Sequence, residues 1–257
     1  MKDSTTKNKK KPLNKLFIFI FWIAVWQIVY MTIRRDIYVP SPLSVFFRLK
    51  ELIFLSAFWS SIAFSIYRVF VGLVLSTMAG VIVAIASGMN RYIHDLIQPL
   101  MVAIKSTPVL SFIIIALIWF SSSNVPIFIC FLMCFPVIWT NIVAGINNTD
   151  KKLLEMARVY GVKKTLVIGR IYIPSIIPYF SAACVTCFGL GWKVSVAAEV
   201  LSHPRYSIGS NLYSAKVYLD SSELFAWTLV VIILSIIFEM LFVKIMPLIT
   251  KKSANTL

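Results

Sequence analysis

Ser106–Thr149 reads STPVLSFIIIALIWFSSSNVPIFICFLMCFPVIWTNIVAGINNT, 44 residues without an Asp, Glu, Lys or Arg. One helix crossing the hydrocarbon layer of a bilayer needs about 20 apolar residues. The run is too long for one crossing and the right length for two, and the polar break SSSNVP at Ser121–Pro126 supplies the turn between them. Leu16–Ile33, Val69–Asn90 and Ile171–Trp192 are also free of charge, and Leu224–Ile249 is interrupted only by Glu239 and Lys244. Strands of a membrane barrel would alternate in polarity instead of running apolar for so long. Composition agrees: 59% of the 257 residues are hydrophobic, 14% are charged and the mean hydropathy is +0.86. A soluble domain of this length has too little interior to hide that much apolar surface. The expected fold is an all-α polytopic membrane protein with about six transmembrane helices.

The charges divide the chain. Residues 1–15 form a basic tail, 16–33 a first transmembrane helix and 34–65 an outer amphipathic connection. A transmembrane core follows over 66–250, with a polar loop at 150–174, and 251–257 form a short tail. The opening MKDSTTKNKKKPLNK has the charge of a signal peptide, but the apolar run after it is too long and lacks a small-residue cleavage site. It is expected to remain as an anchor, with Lys9, Lys10 and Lys11 against anionic lipid headgroups. A net charge of +15 can suggest nucleic acid, yet these charges sit between spans, so no nucleic-acid partner is expected. Cytoplasmic loops carry the excess of Lys and Arg. With both termini inside, the inner segments hold six, one, six and three basic residues, and the outer ones five, none and two. The asymmetry favours cytoplasmic termini.

No G-x-x-x-x-G-K-[ST], H-E-x-x-H or G-x-S-x-G occurs, so nothing here cradles ATP or builds a hydrolytic site. Cys130/Cys134 and Cys184/Cys187 each share a helix face. Without an accompanying His they are read as small apolar residues at helix contacts, and no metal site is expected. No catalytic residue is expected either.

The loop EMARVYGVKKTLVIGRIYIP, Glu155–Pro174, is the polar exception. Asn148-Thr149-Asp150 offers an N-cap. Leu153, Met156, Ala157 and Tyr160 make one apolar stripe, opposite Lys151, Lys152, Glu155 and Arg158. Gly161 stands where a left-handed C-terminal cap would fall. A second short amphipathic piece then leads to Pro174. Physical reading alone leaves open a docking helix or a basic helix lying on lipid.

Glu155, Ala157, Gly161, Ile171 and Pro174 reproduce the spacing E-A-A-x3-G-x9-I-x-L-P, with Met156 and Ile173 as mild departures. The loop therefore resembles that of permeases of binding-protein-dependent ABC importers. VPSPLSV at Val39–Val45, WKVSVAAEVL at Trp192–Leu201, SIGSNLYSAKVYL at Ser207–Leu219 and LFAWTLVVIILS at Leu224–Ser235 resemble the branch of nitrate, sulfonate and taurine permeases. The likeness covers nearly all the chain beyond residue 36. It departs at Trp119-Phe120-Ser121-Ser122-Ser123, where many relatives have Trp-Phe-Gly, which bears on the outer turn and on docking of the binding protein.

The resemblance implies a type I importer in a bacterial cytoplasmic membrane. Its implied parts are a second permease copy, two cytoplasmic ATPases that hold ATP and Mg, and an extracytoplasmic solute-binding protein. This chain would hold no cofactor. The loop would be the coupling helix, with Leu153, Glu155, Met156, Ala157, Tyr160 and Gly161 meeting the ATPase. The alternative is a self-contained secondary transporter or channel with a lipid-surface helix at 150–170, although no internal repeat of the usual transporter kind is visible.

Charges within spans are costly and usually face water or a partner. Lys193 and Glu199 are pathway candidates at the outer part of the fifth span, with snorkelling or a neighbouring span as the alternative for Lys193. Lys105, just before Pro108, is a third candidate, for the inner vestibule or a freed carbonyl. Pro108 and Pro136 are expected to kink their helices. Glu239 is read as structural, and Gly189 and Gly191 as sites of close helix contact.

Overall fold

The computed structural model describes the backbone of residues 11–255, and the side chains of 17–241 together with Lys244. The expectations for residues 1–10 and for side chains of the last tail lie outside the described residues.

Helix α1 (Lys11–Ile33) leads through a short turn to α2 (Pro42–Ile53). Ser41 caps α2 by accepting from the Ser44 amide at 3.0 Å, and Pro42 stands at its first turn, where a missing N–H costs nothing. Helix α3 (Ser56–Met89) starts ten residues before the expected core boundary. Helices α4 (Arg91–Ser106) and α5 (Val109–Trp119) meet at a bend of 103°. Then come α6 (Val125–Asn147), α7 (Lys151–Val159) and α8 (Lys164–Val167). A π-helical turn, Ile168–Tyr172, feeds α9 (Ile173–Ser202), followed by α10 (Ile208–Val217) and α11 (Ser221–Asn255).

Among the described residues four helices are long and apolar enough to cross a membrane by themselves, five if the bent α4–α5 pair counts as one span, and Phe17–Ile33 of α1 is a shorter apolar helix. The expected kink at Pro108 is a full break. A residue before proline is pushed out of the helical region, and Thr107 accordingly has φ −83°, ψ 134°. Pro136, in contrast, lies inside α6, which continues past it.

The core is α6 clasped between α3 and α9. Gly72, Gly80 and Gly88 recur every eight residues on α3, against Cys130, Ile138 and Ile146 at the same interval on α6. The two helices run parallel, and an added Cβ would approach those side chains to 2.7, 2.8 and 2.5 Å. Helix α9 runs antiparallel: Gly145 meets Ile176 and Tyr179, and Gly191 lies under Cys130 and Cys134. Cys134 and Cys187 each donate a thiol proton toward the other's carbonyl, at 3.3 and 3.5 Å. Gly189, expected at a contact, has no neighbour within 4 Å of an added Cβ. Lipid is as apolar as the helices, so such close backbone approach carries much of their association.

Gly88→Ala is expected to destabilise the bundle by about 1–3 kcal/mol through overpacking. Adding Ile146→Ala, which removes the atoms within 3.0 Å, should restore part of the loss, read as melting temperature in detergent.

Candidate functional site

Several polar features of the described chain bear on the expected site residues. The first is the loop after α6. Asp150 accepts from the Lys152 amide at 2.8 Å and caps α7. At the other end Gly161 has φ +62°, with the Val162 amide donating to Ala157 at 2.9 Å and the Gly161 amide to Arg158 at 3.2 Å. That pair of bonds is a Schellman closure, as the glycine's position predicted. Of the expected stripe, Ala157 is buried while Leu153, Met156 and Tyr160 are 46%, 55% and 78% exposed. Glu155 is exposed on the polar side. The second amphipathic piece expected after Gly161 is present, but sequence reading did not bring it against the first: Val162, Leu166 and Arg170 close the stripe into an apolar hollow of about 520 Å³. The π turn that positions this limb has no periodicity signal of its own.

The second feature is at the opposite end of α9. Glu199, expected to face a pathway, is 0% exposed. Arg68 donates to it at 2.9 Å, the Ser65 hydroxyl at 2.8 Å and the Gly209 amide at 3.1 Å. Arg68 also donates to the carbonyls of Tyr206 and Arg205 at 3.1 and 3.0 Å. An added Cβ on Gly209 would lie 2.4 Å from that of Glu199, so α10 rests directly on α9. The pathway expectation for Glu199 gives way to an interior one, because every direction around its carboxylate is taken by protein. Arg68 was missed. It sits just before a charge-free run, and its partner lies 131 residues away.

Lys193 is exposed, as a six-residue offset implies, since six residues turn a helix to about 120° from its starting face. It shares a groove of about 400 Å³ between α9 and α11 with Glu239. Third, Lys105 is exposed on α4 and donates to the Thr140 hydroxyl of α6 at 2.6 Å, which in turn donates to the Pro136 carbonyl at 2.7 Å. The Pro136 carbonyl is not the one a proline frees, which is four residues earlier; Lys105 instead braces α4 on α6 through a hydroxyl and lines a cleft. Among the described residues no group of three His, Cys, Asp or Glu side chains could hold a metal.

The described residues thus form a helical bundle with a capped basic handle at one end and a locked polar corner at the other. Residues 72–253 match the family of binding-protein-dependent transport system inner membrane components, and the chain belongs to it. It is similar to the putative aliphatic sulfonates transport permease of Bacillus subtilis, 25% identical, covering 79% of this chain and 74% of the relative. It is 27% identical to the nitrate import permease of Synechococcus elongatus, over 78% and 76% of the two chains. The taurine transport permease of Escherichia coli is 22% identical over 84% and 80%. In fold it resembles an amino acid ABC transporter solved with histidines, with a TM-score of 0.64 at 16% identity over 79% and 97% of the chains. The protein is thus a multi-pass inner-membrane permease subunit of an ATP-driven importer, in the nitrate, sulfonate and taurine branch. Hydrolysis belongs to a separate ATPase partner, and cargo arrives on a binding protein.

Removing one member of a buried ion pair strands the other, at a cost of about 3–5 kcal/mol. Arg68→Met is expected to lower the melting temperature sharply, and Arg68→Met with Glu199→Met less so. A double variant that melts below the single one would overturn the pairing.

Proposed function

We propose that the 150–174 loop couples this subunit to its ATPase, with Leu153, Met156 and Tyr160 seated on the ATPase surface and Glu155 meeting a donor there. The observation that carries this is the hollow between the two limbs of the loop. Its apolar residues stand exposed on a helix closed at both ends by hydrogen bonds, and so held at a fixed angle to the chain that follows. A helix fixed in this way transmits displacement into α9, whereas a tether would absorb it. On this reading two ATPase copies hold ATP and Mg, a second copy of this chain completes the importer as a homodimer, and both termini are cytoplasmic. The named cargoes of the relatives, sulfonates, nitrate and taurine, support a small solute bearing an anionic group. Lys193 and Lys105 face its path, while Glu199 holds the outer corner.

Gly161→Val places a Cβ at a left-handed position, at a cost of about 1–2 kcal/mol, and redirects the second limb. With Glu155→Lys it is expected to leave membrane insertion intact while lowering ATPase co-purification or the hydrolysis stimulated by loaded binding protein. Full association and full stimulation in both variants would return the loop to the lipid surface. A cysteine at Lys152 that reacts with impermeant thiol reagents outside intact cells would reverse the orientation.

A further inference from the structure

The cleft that Lys105 lines is a built feature of the two helices beside it. His94, Gln98 and Lys105 fall on one face of α4, at offsets of four and seven. Thr140 and Asn147 fall on the facing side of α6, and together they line a cleft of about 350 Å³. Its polar lining is an ammonium, two carboxamides, a hydroxyl and an imidazole, and no carboxylate lines it. His94 stacks on Trp139, which is itself held by a 3.0 Å bond to Ser87, and leans toward Asp95 outside the cleft at 3.3 Å. Among the described residues Lys105 has no acidic partner within 4.0 Å and spends one donor on Thr140. An ammonium has two further N–H directions to give.

The position also has a direction. Asn147 ends α6 three residues before the cap of α7, so the cleft opens at the end that carries the loop. Lys105 and Thr140 stand about 10 Å deeper, two helical turns toward the membrane centre. Immediately beyond Lys105 the chain breaks at Thr107–Pro108. Broken backbone at membrane depth is tolerated where protein buries it or a water-filled cavity runs beside it.

We propose that this cleft between α4 and α6 is an inner site for a small oxyanion, bound by Lys105 at its deep end and by the amides of Gln98 and Asn147 toward its mouth. It rests on the small-anion reading above and extends it to a second station, separate from Lys193 on α9. One cation and neutral donors in an open cleft hold an anion weakly, as release toward the cytoplasm requires.

The test uses the full permease with its ATPase in nanodiscs of zwitterionic lipid, with Val102→Cys, an exposed cleft residue, as reporter and Cys184→Ala to remove the half-buried native thiol. The reporter should react faster with an anionic than with a cationic methanethiosulfonate reagent. Lys105→Met should reduce that preference about tenfold or more, Lys105→Arg should preserve it, and nitrate or methanesulfonate should slow the labelling. An unchanged preference in Lys105→Met overturns the site. Slowing that requires anionic lipid in place of added nitrate also overturns it, in favour of a headgroup. If ATP-driven uptake of nitrate, bicarbonate and methanesulfonate is absent in the unmodified transporter while the labelling pattern holds, the cargo reading fails and the cleft stands.

Discussion

Everything in this subunit hangs on how closely three helices approach one another. In water an apolar face is driven inward, but in a bilayer the surrounding lipid offers the same surface, and only tight packing and hydrogen bonds distinguish a neighbour from solvent. Gly72, Gly80 and Gly88 bring α3 onto α6, and Gly145 and Gly191 bring α9 onto its other side. The cysteines belong to the same economy of space. Cys130, Cys134 and Cys187 are small, buried and bonded to backbone carbonyls of the adjacent helix. With α6 clasped in this way, its C-terminal end, which carries both the cleft and the handle, is fixed relative to α9.

Helix α9 is the member that joins the handle to the outer corner. It runs 30 residues without a break, about 45 Å at 1.5 Å per residue, despite Pro178 within it. A helix of that length connects the π turn at Ile168–Tyr172 to Glu199. π-helical turns commonly mark functional positions, and this one stands where a push from α7 would enter the membrane. The fold therefore offers a continuous element between the loop proposed to meet the ATPase and the corner where α3, α9 and α10 join.

Charge-free runs and one spaced motif made much of this legible beforehand. The membrane class, the capped α7, the left-handed glycine and the exposed stripe at Leu153, Met156 and Tyr160 all follow from local pattern, because each depends on residues a few positions apart. What escaped depends on distance along the chain. Glu199 read as a pathway charge because its six-residue neighbour Lys193 was visible and Arg68 was not, being on another helix. The break at Thr107–Pro108 read as a kink because a proline reports a lost hydrogen bond without saying whether the helix resumes in line. The second limb of the handle read as a short amphipathic piece, but nothing local showed that α8 and the π turn would fold Val162 and Leu166 back toward Leu153.

The two polar ends of the subunit are built on opposite terms. At the outer corner the carboxylate of Glu199 is fully taken up by Arg68, Ser65 and the Gly209 amide, and opening that corner would leave a charge buried without a partner. The corner therefore moves as one body. Toward the handle Lys105 has a single hydroxyl partner and an open cleft, beside backbone that is already interrupted. A displacement entering through the handle is resisted where every donor is used and absorbed where the chain is already broken. On the coupling proposed above, the places built to give are the break at Thr107–Pro108 and the π turn that leads into α9.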